Sequence, residues 1–168
     1  MNRFTSLDPA ALPDNVFDLI GRQWMLITAG DAGACNTMTA SWGALGVLWN
    51  RPTAFIFVRP SRHTYGFVER CDTFSLCFFE ESFRPALQLC GSVSGRDTDK
   101  IAAAGLTPRF DGPAPFFDQA RLVLFCRKMY KADLDPAGFL TPDIAANYPA
   151  GRDHHRMYAG QILDVLTR

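Results

Sequence analysis

The chain has no C-x-x-C pair and no cysteine or histidine spacing of the zinc-binding kind. Its five cysteines, Cys35, Cys71, Cys77, Cys90 and Cys126, make an odd set. Neither a disulfide framework nor a structural zinc site is expected, and the cysteines read as mostly buried thiols in a reducing cytoplasm. Charge of one sign is equally lacking: Lys plus Arg and Asp plus Glu both number 17, so the formal net charge is zero. Neither nucleic acid nor an anionic membrane is therefore expected as the main partner, although a local basic cluster can still hold one small anion. No apolar run approaches the length of a membrane span, and the opening Met-Asn-Arg-Phe-Thr-Ser lacks the apolar stretch of a signal peptide. A water-soluble, cytoplasmic protein is the expectation. Repeats and low-complexity tracts are absent, and so are the G-x-S-x-G, H-E-x-x-H, Walker and G-x-G-x-x-G signatures. The motifs that announce a hydrolase nucleophile, a zinc protease, a P-loop or a Rossmann domain are thus all missing.

What the chain does contain is apolar bulk: 48% hydrophobic residues, with 14 Phe and three Trp among 168. That suits one domain over residues 1–168, burying roughly two-thirds of its unfolded surface. So many large apolar groups on a chain of zero net charge are also compatible with self-association. A short helix is expected from Pro13 to Gly21, then a strand from Gln23 to Ala29 that turns at Gly30–Gly33 into a partner strand beginning near Asn36. Ala54–Arg59, bounded by Pro52 and Pro60, reads as a strand, and Ser61 as the N-cap of a following helix. Thr73–Phe79 reads as a strand and Ser82–Cys90 as an amphipathic helix. Asp97–Ala104 is a short helix, and Pro108–Phe117 is expected to be irregular. Ala120–Ala132 and His155–Leu166 are the two longest strands, each alternating between two faces. About six strands with short helices between them, and no regular βαβ order, indicate a mainly β fold with α additions, a small antiparallel barrel.

The chemistry concentrates between Asn36 and Thr64. In an extended segment Thr39 and Ser41 share one face, and Met38, Ala40 and Trp42 the other, so a polar edge and an apolar face are offered together. The turn Arg59-Pro-Ser-Arg-His-Thr adds two guanidinium groups, two hydroxyls, an imidazole and the N–H groups of a helix start. The combination suits a flat aromatic ligand carrying a phosphate. Residue by residue it equally suits an edge strand facing water and a capped, solvated turn. Lys100 is a further cation or a surface lysine, and one of His154 and His155 faces the ligand or serves the structure.

Four motifs in this order, Asn-x-Met-Thr-Ala-Ser-Trp at 36–42, Arg-Pro-Ser-Arg-His-Thr-Tyr at 59–65, Ser-Gly-Arg-Asp-x-Asp-Lys at 94–100 and His-Arg-Met-Tyr-x-Gly-x-Ile at 155–162, resemble the flavin reductase-like, FMN-binding split-barrel family, closest to its flavoredoxin-type branch. The resemblance implies an antiparallel split β-barrel forming a homodimer, with FMN near the interface and NADH or NADPH as transient electron donor. It implies that Asn36, Thr39, Ala40, Ser41 and Trp42 line the flavin ring and ribityl chain. Arg59, Ser61, Arg62, His63, Thr64 and Lys100 lie toward the phosphate, and His155 approaches from the last strand. The flavin carries the redox chemistry, so no catalytic side chain is demanded, and no metal is. Without a dinucleotide fingerprint, a nicotinamide has to bind transiently over the flavin. The acceptor is free flavin, a partner protein or a small molecule. The rivals are an FMN-binding electron relay that does not oxidise NAD(P)H, and a split barrel holding haem or another phosphorylated cofactor.

Overall fold

The computed structural model describes residues 4–148 and 152–168. Strand β1 (Thr5–Leu7) precedes a single helical turn, α1 (Val16–Asp18), whose N-cap Asn15 accepts from the N–H groups of Phe17 and Asp18. A wide turn over Leu19–Gln23 continues it, so the strand expected from Gln23 starts later, as β2 (Met25–Gly30). β2 pairs antiparallel with β3 (Cys35–Ala40), the expected hairpin. Gly30 closes it at a φ of +128°, a conformation that a side chain would oppose.

The glycine-bearing segment that follows Trp42 is itself a strand, β4 (Gly43–Leu48), which the sequence pattern conceals. Trp49 and Asn50 both adopt positive φ, +52° and +57°, the signature of a two-residue hairpin turn with the twist that antiparallel strands prefer. The return strand β5 (Arg51–Val58) therefore begins before Pro52. Proline is tolerated there because the ladder with the last strand stops at Thr53, leaving Pro52 a single strand neighbour.

Helix α2 (His63–Arg70) is followed by β6 (Thr73–Phe78), α3 (Arg84–Ser92) and a short α4 (Lys100–Ala103), shorter than expected because Asp99 caps it by accepting from Ala102 N–H. The proline-rich stretch after it is not wholly irregular: β7 (Pro108–Arg109) and β8 (Phe116–Phe117) form a two-rung ladder. Then come β9 (Leu122–Asp133), a connector containing α5 (Pro142–Ala145), and β10 (Arg156–Thr167). Ten strands are thus present among the described residues, where about six were expected. Among those residues no helix is long and apolar enough to cross a membrane, and all five cysteines are free thiols.

One sheet runs in the order β3-β2-β6-β9-β10-β5-β4, with β1 added on β10. Its two edges, β3 and β4, are consecutive in the chain and separated only by Ser41 and Trp42. From Ala40 to Gly43 such a link reaches at most about 11 Å, so the sheet has to curl until its edges almost meet. That is a split barrel. Alternation places two cores on its two surfaces. Inside lie Met25 and Ile27, Phe74, Leu76 and Phe78, and Leu122, Leu124 and Cys126; outside, under α3, lie Leu26, Cys77, Val123 and Phe125. In β10 the expected strict alternation fails. Register shifts at Ala159/Gly160 and Ile162/Asp164 leave Leu163 without an opposite residue, so Ile162 and Val165 both point inward.

Candidate functional site

Where the edges approach, the chain builds a cleft of about 520 Å³, within the range of cofactor sites. Met38, Thr39 and Ala40 reach it from the end of β3, and Ser41 and Trp42 from the corner between the edges. Phe57 and Arg59 come from the end of β5, Ser61 and Arg62 from the turn before α2, and Asp153 and His155 from the approach to β10. The alternation expected in β3 holds to Ala40: Met38 packs into the barrel, while Thr39 faces outward and its hydroxyl donates to the Leu87 carbonyl of α3. Trp42 lies beyond the strand, lines the cleft and is 45% exposed.

The basic end differs in detail from the capped turn expected. The N-cap of α2 is Arg62, which makes no side-chain cap bond. Ser61 instead donates both its N–H and its hydroxyl to the Asp153 carboxylate, at 2.9 and 2.5 Å. Asp153 reaches it with φ at +60°, a conformation aspartate tolerates better than most residues. Around this pair, Arg59 donates to the Asn147 carbonyl, Arg62 to the Gly91 carbonyl and Arg96 to the Ser61 carbonyl. Three guanidinium groups therefore gather at one turn with their positive charge unmatched by those carbonyls, and a carboxylate already sits on the two donors of Ser61. The donor set is that of an anion seat.

At the far side His155, 8% exposed, stands against Trp42 with ring centroids 5.0 Å apart. It precedes β10, so the strand expected from His155 starts one residue later, and His154 packs on Phe139 and Tyr148. Burial, and then the positive charge of Arg59, push the His155 imidazole down to about 4, so it is neutral near pH 7.

Four of the residues singled out in the sequence lie elsewhere. Asn36 donates to the Thr64 hydroxyl at 2.8 Å, both buried, tying β3 to α2 behind the cleft. His63 stacks edge-on against Phe67. Lys100 is only 4% exposed, and its ammonium donates to the Cys90 and Val93 carbonyls where α3 ends, a favourable place for a cation. Asn36 and Lys100 instead line a second cavity, of about 570 Å³, between the Asp31–Gly33 turn and the Gly95–Asp99 loop. Conversely, Phe57, Asp153 and, one shell back, Tyr148 belong to the cleft's surroundings without a sequence signal. Phe57 is visible only as one of several strand aromatics, and the other two arrive from an irregular connector.

No curated protein matches the chain in sequence. Among solved structures it is similar to the FMN-binding domain of a flavin reductases-like enzyme from Shewanella baltica OS155, with TM-score 0.71 and 16% identity over 99% of this chain and 78% of that one. Flavoredoxin from Methanosarcina acetivorans gives TM-score 0.69 and 21% identity, covering 87% of this chain and 68% of the other. An NADH:FAD oxidoreductase of Streptomyces globisporus C-1027 gives 0.63 and 15%, covering 85% and 74%. At such identities the likeness is one of fold. The model of the flavin reductase like domain, however, matches residues 17–168, which include both sheet edges and every element around the cleft, and the chain belongs to that family.

Proposed function

We propose that this chain binds FMN in the cleft at the split and passes hydride from NADH or NADPH by way of it to free flavin, a partner protein or a small acceptor. The observation that carries the reading is the pairing, in one cleft, of an apolar slot with an anion seat. Trp42, Met38 and Phe57 suit a flat ring, and Ser61, Arg59 and Arg62 suit a phosphate, with the Asp153 carboxylate resting where a phosphate oxygen would bind. FMN, when bound, supplies the redox chemistry itself. The protein's part is to hold and orient. As a sheet edge, β3 turns part of its backbone N–H groups away from β2, and near Thr39–Trp42 those donors suit the ring's carbonyl oxygens. Asn36 and Lys100 act from behind, by fixing β3 and the end of α3.

A second reading, an FMN-carrying electron relay without NAD(P)H oxidation, is favoured by the lack of any dinucleotide fingerprint in the sequence. One experiment separates the two. Purified protein is expected to be yellow or to become so with micromolar FMN, and to bleach when NADH or NADPH is added anaerobically. Yellow protein that does not bleach assigns the relay; protein that takes up no FMN rules out both.

The reading includes a second copy of the chain across the cleft, supported by exposed apolar residues along this edge of the sheet: Trp42 on the corner before β4, and Val47 and Trp49 at the far end of β4. Sedimentation equilibrium is expected to give twice the 18.7 kDa chain mass; a monomer at micromolar concentration removes the partner from the proposal.

A further inference from the structure

Behind His155 stands a group that no motif announces. The Tyr148 hydroxyl lies 2.8 Å from His155 Nδ1, both residues buried, in the connector between β9 and β10. Tyr148 is held from three sides: Phe139 stacks on it with ring planes 9° apart, Arg59 lies over its ring, and His154 packs against it. Arg59 also donates to the carbonyl of the preceding residue, Asn147, clamping this end of the connector to the cleft.

The hydrogen bond has a direction. If His155 Nδ1–H donated, the phenol proton would be left without an acceptor, because Tyr148 makes no other side-chain bond among the described residues. Leaving a buried donor unmatched is the costly choice, and a phenol is a good donor to an imidazole nitrogen. The low-cost arrangement has Tyr148 donating to Nδ1, which puts the imidazole proton on Nε2. That atom has no hydrogen-bond partner among the described residues and is not one of their buried unpartnered atoms, of which there are none, and His155 lines the cleft beside Trp42.

We infer that Tyr148 is a positioning residue: it locks His155 in the Nε2–H tautomer, so that the cleft presents an uncharged hydrogen-bond donor to a carbonyl oxygen of a molecule lying on Trp42. The tautomer follows from the geometry of the protein alone; the carbonyl partner rests on the reading above of a redox site for flat carbonyl-bearing molecules. The groups facing His155 are consistent with its staying neutral. Arg59, Arg62 and His154 disfavour a second proton, and Asp153, the one acid among them, is engaged by Ser61.

The test is nitrogen NMR of protein labelled at histidine, without FMN, so it is independent of whether flavin binds. The wild type is expected to show the His155 proton on Nε2 with Nδ1 unprotonated, unchanged from pH 8 to pH 5. Tyr148→Phe keeps the ring stacking and removes the donor. It is expected to lower the Nε2–H to Nδ1–H ratio by about five-fold, the effect of one ordinary hydrogen bond, and to raise the pH at which His155 titrates. A proton on Nδ1 in the wild type, or an unchanged ratio in the variant, overturns the inference; the wild-type spectrum decides alone should the variant not fold. FMN added to the wild type is then expected to slow solvent exchange of the Nε2 proton. Fast exchange that persists in protein visibly loaded with FMN removes the carbonyl partner and leaves the tautomer standing.

Discussion

Arg62→Ala is expected to weaken FMN binding by about 1.5–3 kcal/mol, ten-fold to a hundred-fold or more in Kd, while riboflavin affinity stays nearly constant. Arg62 is exposed at the rim of the cleft, so solvent screening puts its effect at the lower end of that range. Half-buried Arg59, which also clamps the connector through Asn147, belongs at the upper end. The reason is differential: only the phosphate carries charge, and FMN and riboflavin are otherwise the same molecule. Asp153→Asn makes the converse case. The carboxylate takes both donors of Ser61, so a phosphate held there as proposed would have to displace a negative charge first. An asparagine tolerates the same positive φ and frees the seat of charge, so FMN is expected to tighten by about ten-fold, one close charge contact. Fluorescence titration of both flavins against the three variants reads all of this. Equal losses for FMN and riboflavin place the arginines away from the phosphate, and an unchanged affinity in Asp153→Asn removes that residue from the seat.

Glu69→Gln is expected to cost about 2 kcal/mol of folding stability at pH 7, or about 4–8 °C in Tm for a chain of this size. Glu69 ends α2 against the sheet, where it accepts from the Tyr158 hydroxyl and from Lys131, both at 2.6 Å, and pairs with Arg156 at 3.3 Å. Burial opposes its charge, but the hydrogen bonds from Lys131, Tyr158 and Arg156 win and bring the carboxyl down to about 2. The sign follows. A carboxyl depressed in the folded state stabilises it fully above its unfolded pKa, about 4.3, and loses that contribution as pH falls through about 2. The gap between wild type and Glu69→Gln should therefore be full above about pH 5 and close as pH drops toward 2, as read by urea denaturation at each pH. A gap that does not narrow in acid means the carboxylate charge is not what holds the helix. Because α2 begins with the turn that forms the anion seat, the same variant is expected to loosen FMN modestly without altering its preference over riboflavin.

Much of the barrel could be read from one dimension because each strand's side chains answer to local rules. The alternation of Leu122, Leu124 and Cys126 with Val123 and Phe125 is set by the two-residue period, whatever the neighbours are. Gly30 marks its turn because few other residues accept that φ. β4 escaped this reading because Gly43, Ala44 and Gly46 give little pattern, and its turn uses Trp49 and Asn50 where Asn-Gly is the usual signal. The bulges in the β9–β10 pair escaped it too, since an extra residue is a response to the partner strand and to curvature, neither of which lies in the local sequence.

The cleft divides in the same way. Its types of residue, an apolar aromatic corner followed by a basic, hydroxyl-bearing turn, are written contiguously at 36–42 and 59–65, and hydrophobicity and charge are properties a residue carries anywhere. Which of them face one another depends on the curl of the sheet. The short link between β3 and β4 forces two edges together, sets Trp42 beside His155 and Arg62 across from them, and turns Asn36, Thr64 and Lys100 to duties behind the wall. Tyr148 and Asp153 enter only through a connector whose path is governed by what it packs on, so contacts more than 80 residues apart in the chain, such as Ser61 with Asp153, had no local signal to betray them.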